Sequence, residues 1–251
     1  MLFSKKIIWH TPPGTYSKAI ERALNNAHVL IGGTTGAGKS VLIDNILYYL
    51  LLKGNCEFVL IDPKEVQLKR YTNTPLANIH AITPAGIENA LQRCADLMDR
   101  RFSDMRKTGS VETSEKDLYI IIDEFIDVKL LCKKSALENL TRIIVKGRAA
   151  HIHVILATQR PTRDILPGTI RANFPAVIAL RCANVQESRN LLNVPDAADL
   201  PKNGIAILKD PDGMQKFKVD YIPEKVQFVI DFWKNQLDSV PRWKWPRCVE
   251  M

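Results

Sequence analysis

Residues 33 to 40, Gly33-Thr34-Thr35-Gly36-Ala37-Gly38-Lys39-Ser40, complete the pattern G-x-x-x-x-G-K-[ST], and their flanks narrow the fold sharply. The apolar run His28-Val29-Leu30-Ile31 precedes the octet as a strand should, and Val41 to Leu52 follows with helical length and apolar content. Strand, glycine-rich turn and helix in that order make a phosphate-binding loop. The glycines let successive backbone N–H groups curl around a polyphosphate without Cβ clashes. Lys39 brings a point charge to the β- and γ-phosphates, and Ser40 brings a hydroxyl to Mg²⁺. The helix N-terminus behind them favours anions. The expected nucleotide contacts are Gly33, Thr34, Thr35, Gly36, Ala37, Gly38, Lys39, Ser40 and Val41, around a nucleoside triphosphate.

Further apolar runs bounded by turn signals alternate with helix-like segments. Cys56 to Ile61, Leu118 to Ile122, Val154 to Ala157, Val177 to Leu180 and Gly204 to Leu208 read as strands. Pro84 to Lys107 carries Ile87, Leu91, Ala95, Met98 and Phe102 at helical spacing, and Ser135 to Ala150 and Glu224 to Leu237 also read as helices. Strands without polar alternation are buried on both faces, which predicts an α/β fold with a mostly parallel sheet and helices on both faces. The expected organisation is an N-terminal extension over 1–16, one doubly wound domain over 17–240 and a tail over 241–251. That tail interleaves cations with indoles (Arg242-Trp243-Lys244-Trp245). It fits contact with nucleic acid or a neighbouring subunit, and equally a tail that packs its tryptophans on the domain.

No stretch of the 251 residues reaches the roughly eighteen consecutive apolar positions of a membrane span. Leu42 to Leu52 comes nearest, but it contains Asp44 and Asn45. Direct membrane insertion is therefore not expected. The first residues lack the long apolar core of a signal peptide, and the five cysteines form no C-x-x-C pair, so a reducing cytoplasm is the expected location. The formal charge of +8 favours a polyanionic partner such as nucleic acid.

A phosphate loop that serves hydrolysis needs an acid for the metal and a base for water. Leu118 to Ile122 is a wholly apolar strand that ends in Asp123-Glu124. Asp123 suits Mg²⁺ beside Ser40 through its water shell, and Glu124 suits deprotonation of the attacking water. Gln159, after the strand Val154 to Ala157, reads either as a γ-phosphate contact or as a turn residue before Arg160-Pro161. Arg148, in Lys146-Gly147-Arg148-Ala149-Ala150, reads either as a solvated surface cation or as an arginine finger toward a neighbour's nucleotide.

Taken together, Gly33 to Ser40, Ile61-Asp62-Pro63-Lys64, Ile122-Asp123-Glu124-Phe125 and Ala157-Thr158-Gln159-Arg160-Pro161 resemble the FtsK/SpoIIIE DNA translocase family. The likeness runs on through Ile170-Arg171-Ala172-Asn173-Phe174-Pro175 and Ser188-Arg189, over roughly residues 27 to 237. It implies a RecA-like P-loop ATPase that uses ATP and Mg²⁺, assembles into a hexameric ring and moves double-stranded DNA through its channel without regard to sequence. It assigns Arg148 to a trans-acting role, Gln159 to the catalytic set with Lys39, Asp123 and Glu124, and the cations Arg100, Arg101, Arg106 and Lys107 to channel-facing loops. Two features depart from the family pattern. Val185 stands where a second trans-acting lysine is usual, and the segment between Lys107 and Asp117 is short. Without membrane spans or a winged-helix module, the sequence reads as a bare motor for a mobile element, phage or plasmid. A type VII-like protein-secretion motor is the alternative.

Overall fold

A computed structural model describes residues 17–235 except 73, 75 and 76. The expected extension over 1–16 and tail over 241–251 lie outside the described residues, as do the last two residues of the helix expected to end at Leu237. The chain runs α1 (Lys18–Leu24), β1 (His28–Gly32), α2 (Lys39–Lys53), β2 (Cys56–Ile61), β3 (Ala77–Ala81), α3 (Pro84–Thr108) and β4 (Asp117–Ile122). It continues through α4 (Phe125–Leu131), α5 (Lys134–Lys146), β5 (Ile152–Thr158), α6 (Gly168–Arg171), β6 (Ala176–Ala179), α7 (Val185–Leu192), β7 (Ile205–Asp210), β8 (Gly213–Lys218) and α8 (Pro223–Asn235). One eight-stranded sheet has the order β3-β2-β4-β5-β1-β6-β7-β8. All pairings from β3 to β6 are parallel; β6 with β7 and β7 with β8 are antiparallel.

The apolar strands feed two cores by simple alternation, since successive side chains leave a strand on opposite faces. Leu118, Ile120 and Ile122 of β4, with Val154 and Leu156 of β5, pack under α3, α5 and α7. Tyr119, Ile121, Ile155 and Ala157 pack on the other face under α1, α2 and α8. A strand can therefore be apolar throughout only if both faces are covered, and here both are.

Local signals set the helix ends. Thr83 caps α3 by accepting the Gly86 N–H at 3.1 Å, and Pro84 sits where its missing N–H costs nothing. In α7, Asn184 accepts the Glu187 N–H while the Glu187 carboxylate accepts the Ala183 N–H, a near-reciprocal cap. Two strands escape the sequence reading. β3 is short and interrupted by Asn78 and His80, and β8 is an exposed, polar edge strand. At the opposite sheet edge from the phosphate loop, His28 is buried and accepts the Val154 N–H through Nδ1. Burial, with a smaller contribution from His153, holds its imidazole down at about 4.

Candidate nucleotide-hydrolysis site

Strand order brings the candidate residues together. β1 lies between β5 and β6, with β4 one strand farther, so the carboxyl ends of β1, β5 and β4 fall within about 10 Å at the usual strand spacing. This is the crevice where ligands of such sheets bind. The loop after β1 is pinned from the β6 side: the Thr34 N–H donates to the Arg181 carbonyl at 2.8 Å. A Cβ on Gly33 would stand 2.9 Å from the Leu180 Cβ, so only glycine permits that approach. Gly38 opens α2 at φ 106, in the left-handed region that L side chains avoid. The first N–H groups of α2 have no intrahelical partner and point into the loop.

Lys39 is 9 % exposed, and its Nζ donates to the Gly33 carbonyl at 2.6 Å and the Thr34 carbonyl at 3.0 Å. Burial lowers its pKa, against the pull of Glu124 and Asp123. Ser40 is exposed at the start of α2. Asp123, at the end of β4, is pushed up to about 6, first by burial and then by the nearby Asp62 and Glu124, with Lys64 and Lys39 opposing. Asp62 is fully buried, and its Oδ1 has no hydrogen-bond partner among the described residues. Three carboxylates facing two lysines leave an excess of hard, anionic oxygen, which suits Mg²⁺. Among the described residues no cluster of three or more His, Cys, Asp or Glu side chains is arranged to chelate an ion by itself. An ion that arrives with phosphates and keeps its waters needs no such cage.

Glu124 is 3 % exposed, and both carboxylate oxygens accept the Gln159 N–H at 3.1 Å. The Gln159 side chain in turn accepts the Thr35 hydroxyl at 2.5 Å. The structure thus joins the phosphate loop, the end of β4 and the end of β5 into one hydrogen-bonded chain: Thr35, Gln159, Glu124.

Arg148 does not join them. It lies in the 3₁₀ turn Gly147–Ala150, before β5, at the sheet edge opposite the phosphate loop. Seven strand residues at roughly 3.3 Å each separate that turn from Gln159 by about 23 Å. Its side chain is exposed and makes no hydrogen bond or ion pair among the described residues. Val185 sits instead on the phosphate-loop edge, four residues past Arg181, so it shares no sheet edge with Arg148.

The expectation for Arg101 needs correction: it is buried and bonded to backbone carbonyls, so it is no exposed loop cation. Arg100 is exposed and holds both oxygens of Glu115, and Arg106 and Lys107 are exposed at the end of α3. Helical position was the available signal. Cys94, Met98, Arg101 and Met105 share the buried face of α3 at steps of four, three and four. Exposed cations stand on the site edge itself: Lys133 and Lys134 after α4, and Arg160 and Arg163 after β5. These two segments touch, because the Lys129 ammonium donates to the Asp164 carbonyl.

Residues 14–117 match the model of the FtsK/SpoIIIE family. The chain is 31 % identical over 238 residues to the DNA translocase FtsK of Lactococcus lactis subsp. lactis and equally to that of Streptococcus pneumoniae. The match takes in 84 % of this chain and 31 % of each relative, so the chain spans about a third of their length. Among solved structures, the pCW3 conjugation coupling protein TcpA, determined with ATPγS, superposes with TM-score 0.73 at 22 % identity, over 83 % of this chain and 66 % of that one. The cytoplasmic domain of the type VII secretion ATPase EccC from Thermomonospora curvata gives 0.70 at 24 %, over 89 % and 29 %. Likeness at that identity shows the shared fold. No helix among the described residues is long and apolar enough to cross a membrane.

Proposed function

We propose that this chain, which carries an FtsK/SpoIIIE-family domain, is an ATP-hydrolysing motor that moves along double-stranded DNA as a ring of six copies. The observation that carries the reading is the chain Thr35–Gln159–Glu124, which links the phosphate loop to a pair of touching segments that bear exposed cations on the site edge. Chemistry at the γ-phosphate is thereby wired to Arg160 and Arg163, and through Asp164 and Lys129 to Lys133 and Lys134. Such cations bind a phosphate backbone without reading bases, as a translocase requires.

In this reading the loop residues 33–41 and Lys39 bind the triphosphate. Ser40 and Asp123 would hold Mg²⁺, which would supply positive charge against the triphosphate. Glu124 orients a water and takes its proton as the water oxygen bonds to the γ-phosphorus. The bond to the bridging oxygen breaks, and ADP and phosphate leave. Gln159, in contact with both Thr35 and Glu124, reports the state of the γ-phosphate to the cationic edge. Arg148, about 23 Å from its own site, serves the nucleotide of the adjoining copy. The family-model match over residues 14–117, the +8 charge and the cation-lined edge support DNA as the track, and a mobile element, phage or plasmid is the setting proposed for it.

The test is the steady-state ATPase rate with linear duplex DNA, single-stranded DNA and RNA at matched phosphate concentration. The proposal expects a rise of about tenfold or more with duplex alone. Equal rates with and without duplex would overturn it and favour a protein-export motor of the same fold.

A further inference from the structure

A guanidinium in a protein interior is stable only when its donors are taken up. Arg101, on α3, is 3 % exposed, and the nucleotide chemistry makes no use of it. Its Nη1 donates to the carbonyls of Ala150 at 2.6 Å and His151 at 3.1 Å, its Nη2 to the Lys116 carbonyl at 2.9 Å, and its Nε to Glu115 Oε2 at 3.1 Å. Two of those carbonyls end the turn that carries Arg148.

The rest of that turn is equally constrained. The His151 N–H donates to the Arg148 carbonyl at 3.1 Å, and the Thr113 N–H donates to the Ala149 carbonyl at 3.2 Å. A Cβ on Gly147 would lie 2.6 Å from the Ile152 carbonyl oxygen, so the backbone has no slack there. Four consecutive carbonyls, from Arg148 to His151, are thus held while the Arg148 side chain stays exposed. α3 is a single 25-residue helix whose start lies beside Lys133 on the nucleotide edge, through the Lys133 N–H to Glu88 bond. It is a rigid element that spans the sheet from one edge to the other.

We propose that Arg101 is a positioning residue for trans hydrolysis: its fork fixes the turn from which Arg148 reaches the nucleotide of the adjoining copy. The inference rests on the ring reading above. Arginine is required because one planar group must satisfy three carbonyls in two segments and a carboxylate together. Lysine has a compact head and spans one segment or the other.

The experiment uses Arg101→Lys, assayed alone and in mixed assemblies with Lys39→Ala chains, which lack a working phosphate loop but keep Arg101 and Arg148. Alone, R101K is expected to lose tenfold or more in kcat, while its affinity for a fluorescent ATP analogue stays within about twofold of wild type. Excess K39A chains should restore turnover at the R101K sites, to the level the same chains give with Arg148→Ala. Hydrogen exchange over residues 147–153 should quicken while the phosphate loop is unchanged. If R148A is rescued and R101K is not, or if R101K keeps wild-type kcat, the positioning role is wrong. If R148A itself is not rescued, the failure belongs to the trans reading and takes this inference with it. Should R101K not fold, Glu115→Gln keeps the guanidinium and weakens its hold. It is expected to lower kcat three- to tenfold with KM unchanged and with the same rescue. Wild-type kcat in E115Q with a lowered Tm would equally refute the role.

Discussion

Glu124→Gln and Glu124→Ala separate the two jobs the structure gives this carboxylate. As a base it removes a proton from water, a contribution of about 10²- to 10⁴-fold, or roughly 3–5 kcal/mol on the barrier. As an acceptor it takes the Gln159 N–H with both oxygens at 3.1 Å, deep in the crevice at 3 % exposure. Glutamine cannot act as the base but keeps an oxygen for that N–H. It also removes one of the charges that raise the pKa of Asp123. E124Q should therefore lose two to four orders of magnitude in kcat, bind an ATP analogue within a few-fold of wild type and melt at or slightly above the wild-type temperature. Alanine loses the base and leaves the Gln159 N–H without its acceptor, an added cost of about 1–3 kcal/mol. For a domain of this size that lowers Tm by roughly 3–10 °C. Phosphate release under single turnover, analogue binding and thermal melts on the two variants provide the comparison. A kcat for E124Q within threefold of wild type would refute the base assignment, and equal melting of E124Q and E124A would refute a stabilising role for the Gln159 N–H to Glu124 bond.

Lys39→Ala should weaken ATP-analogue binding at least 100-fold without altering the melt beyond about 1–2 °C, because the ammonium bonds only to loop carbonyls of its own site; isothermal titration checks the first and calorimetry the second. His28 predicts a stability change in acid. Its folded pKa of about 4 lies below the unfolded 6.5, so its stabilising effect is complete above pH 6.5 and lost as pH falls toward 4. The loss approaches about 3 kcal/mol, and His28→Asn should flatten that part of a urea-midpoint profile; an unchanged slope would show that His28 is not buried neutral.

Much of the fold is legible because burial and composition coincide. β1, β2, β4 and β5 each carry an unbroken apolar run, Val29 to Ile31, Phe58 to Ile61, Leu118 to Ile122 and Val154 to Ala157, and a sheet covered on both faces explains that. The site is legible for the same reason, since polar and charged residues directly after such strands, Asp123-Glu124 and Gln159-Arg160, fall at one sheet edge. β3 and β8 are missed where that coincidence fails: β3 carries Asn78 and His80, and β8 faces solvent along most of its length. Pro211-Asp212 turns β7 into β8 and Gly213 follows at φ 116; such a Pro-Asp-Gly run is a turn signal and a clue to β8. Arg101 shows the converse error. A cation in a basic stretch invites a nucleic-acid reading, but its step along α3 places it among Cys94, Met98 and Met105, on the inner face. The Thr35–Gln159–Glu124 chain is beyond sequence, because it depends on β5 lying between β1 and β4 in the sheet.

Displacement of a labelled third strand from a triplex placed far from the end of a linear duplex shows whether hydrolysis at this site drives the proposed movement along DNA. Release should require ATP, be abolished by Glu124→Gln and be delayed in proportion to the distance travelled. Duplex-stimulated hydrolysis with the third strand left in place would contradict it.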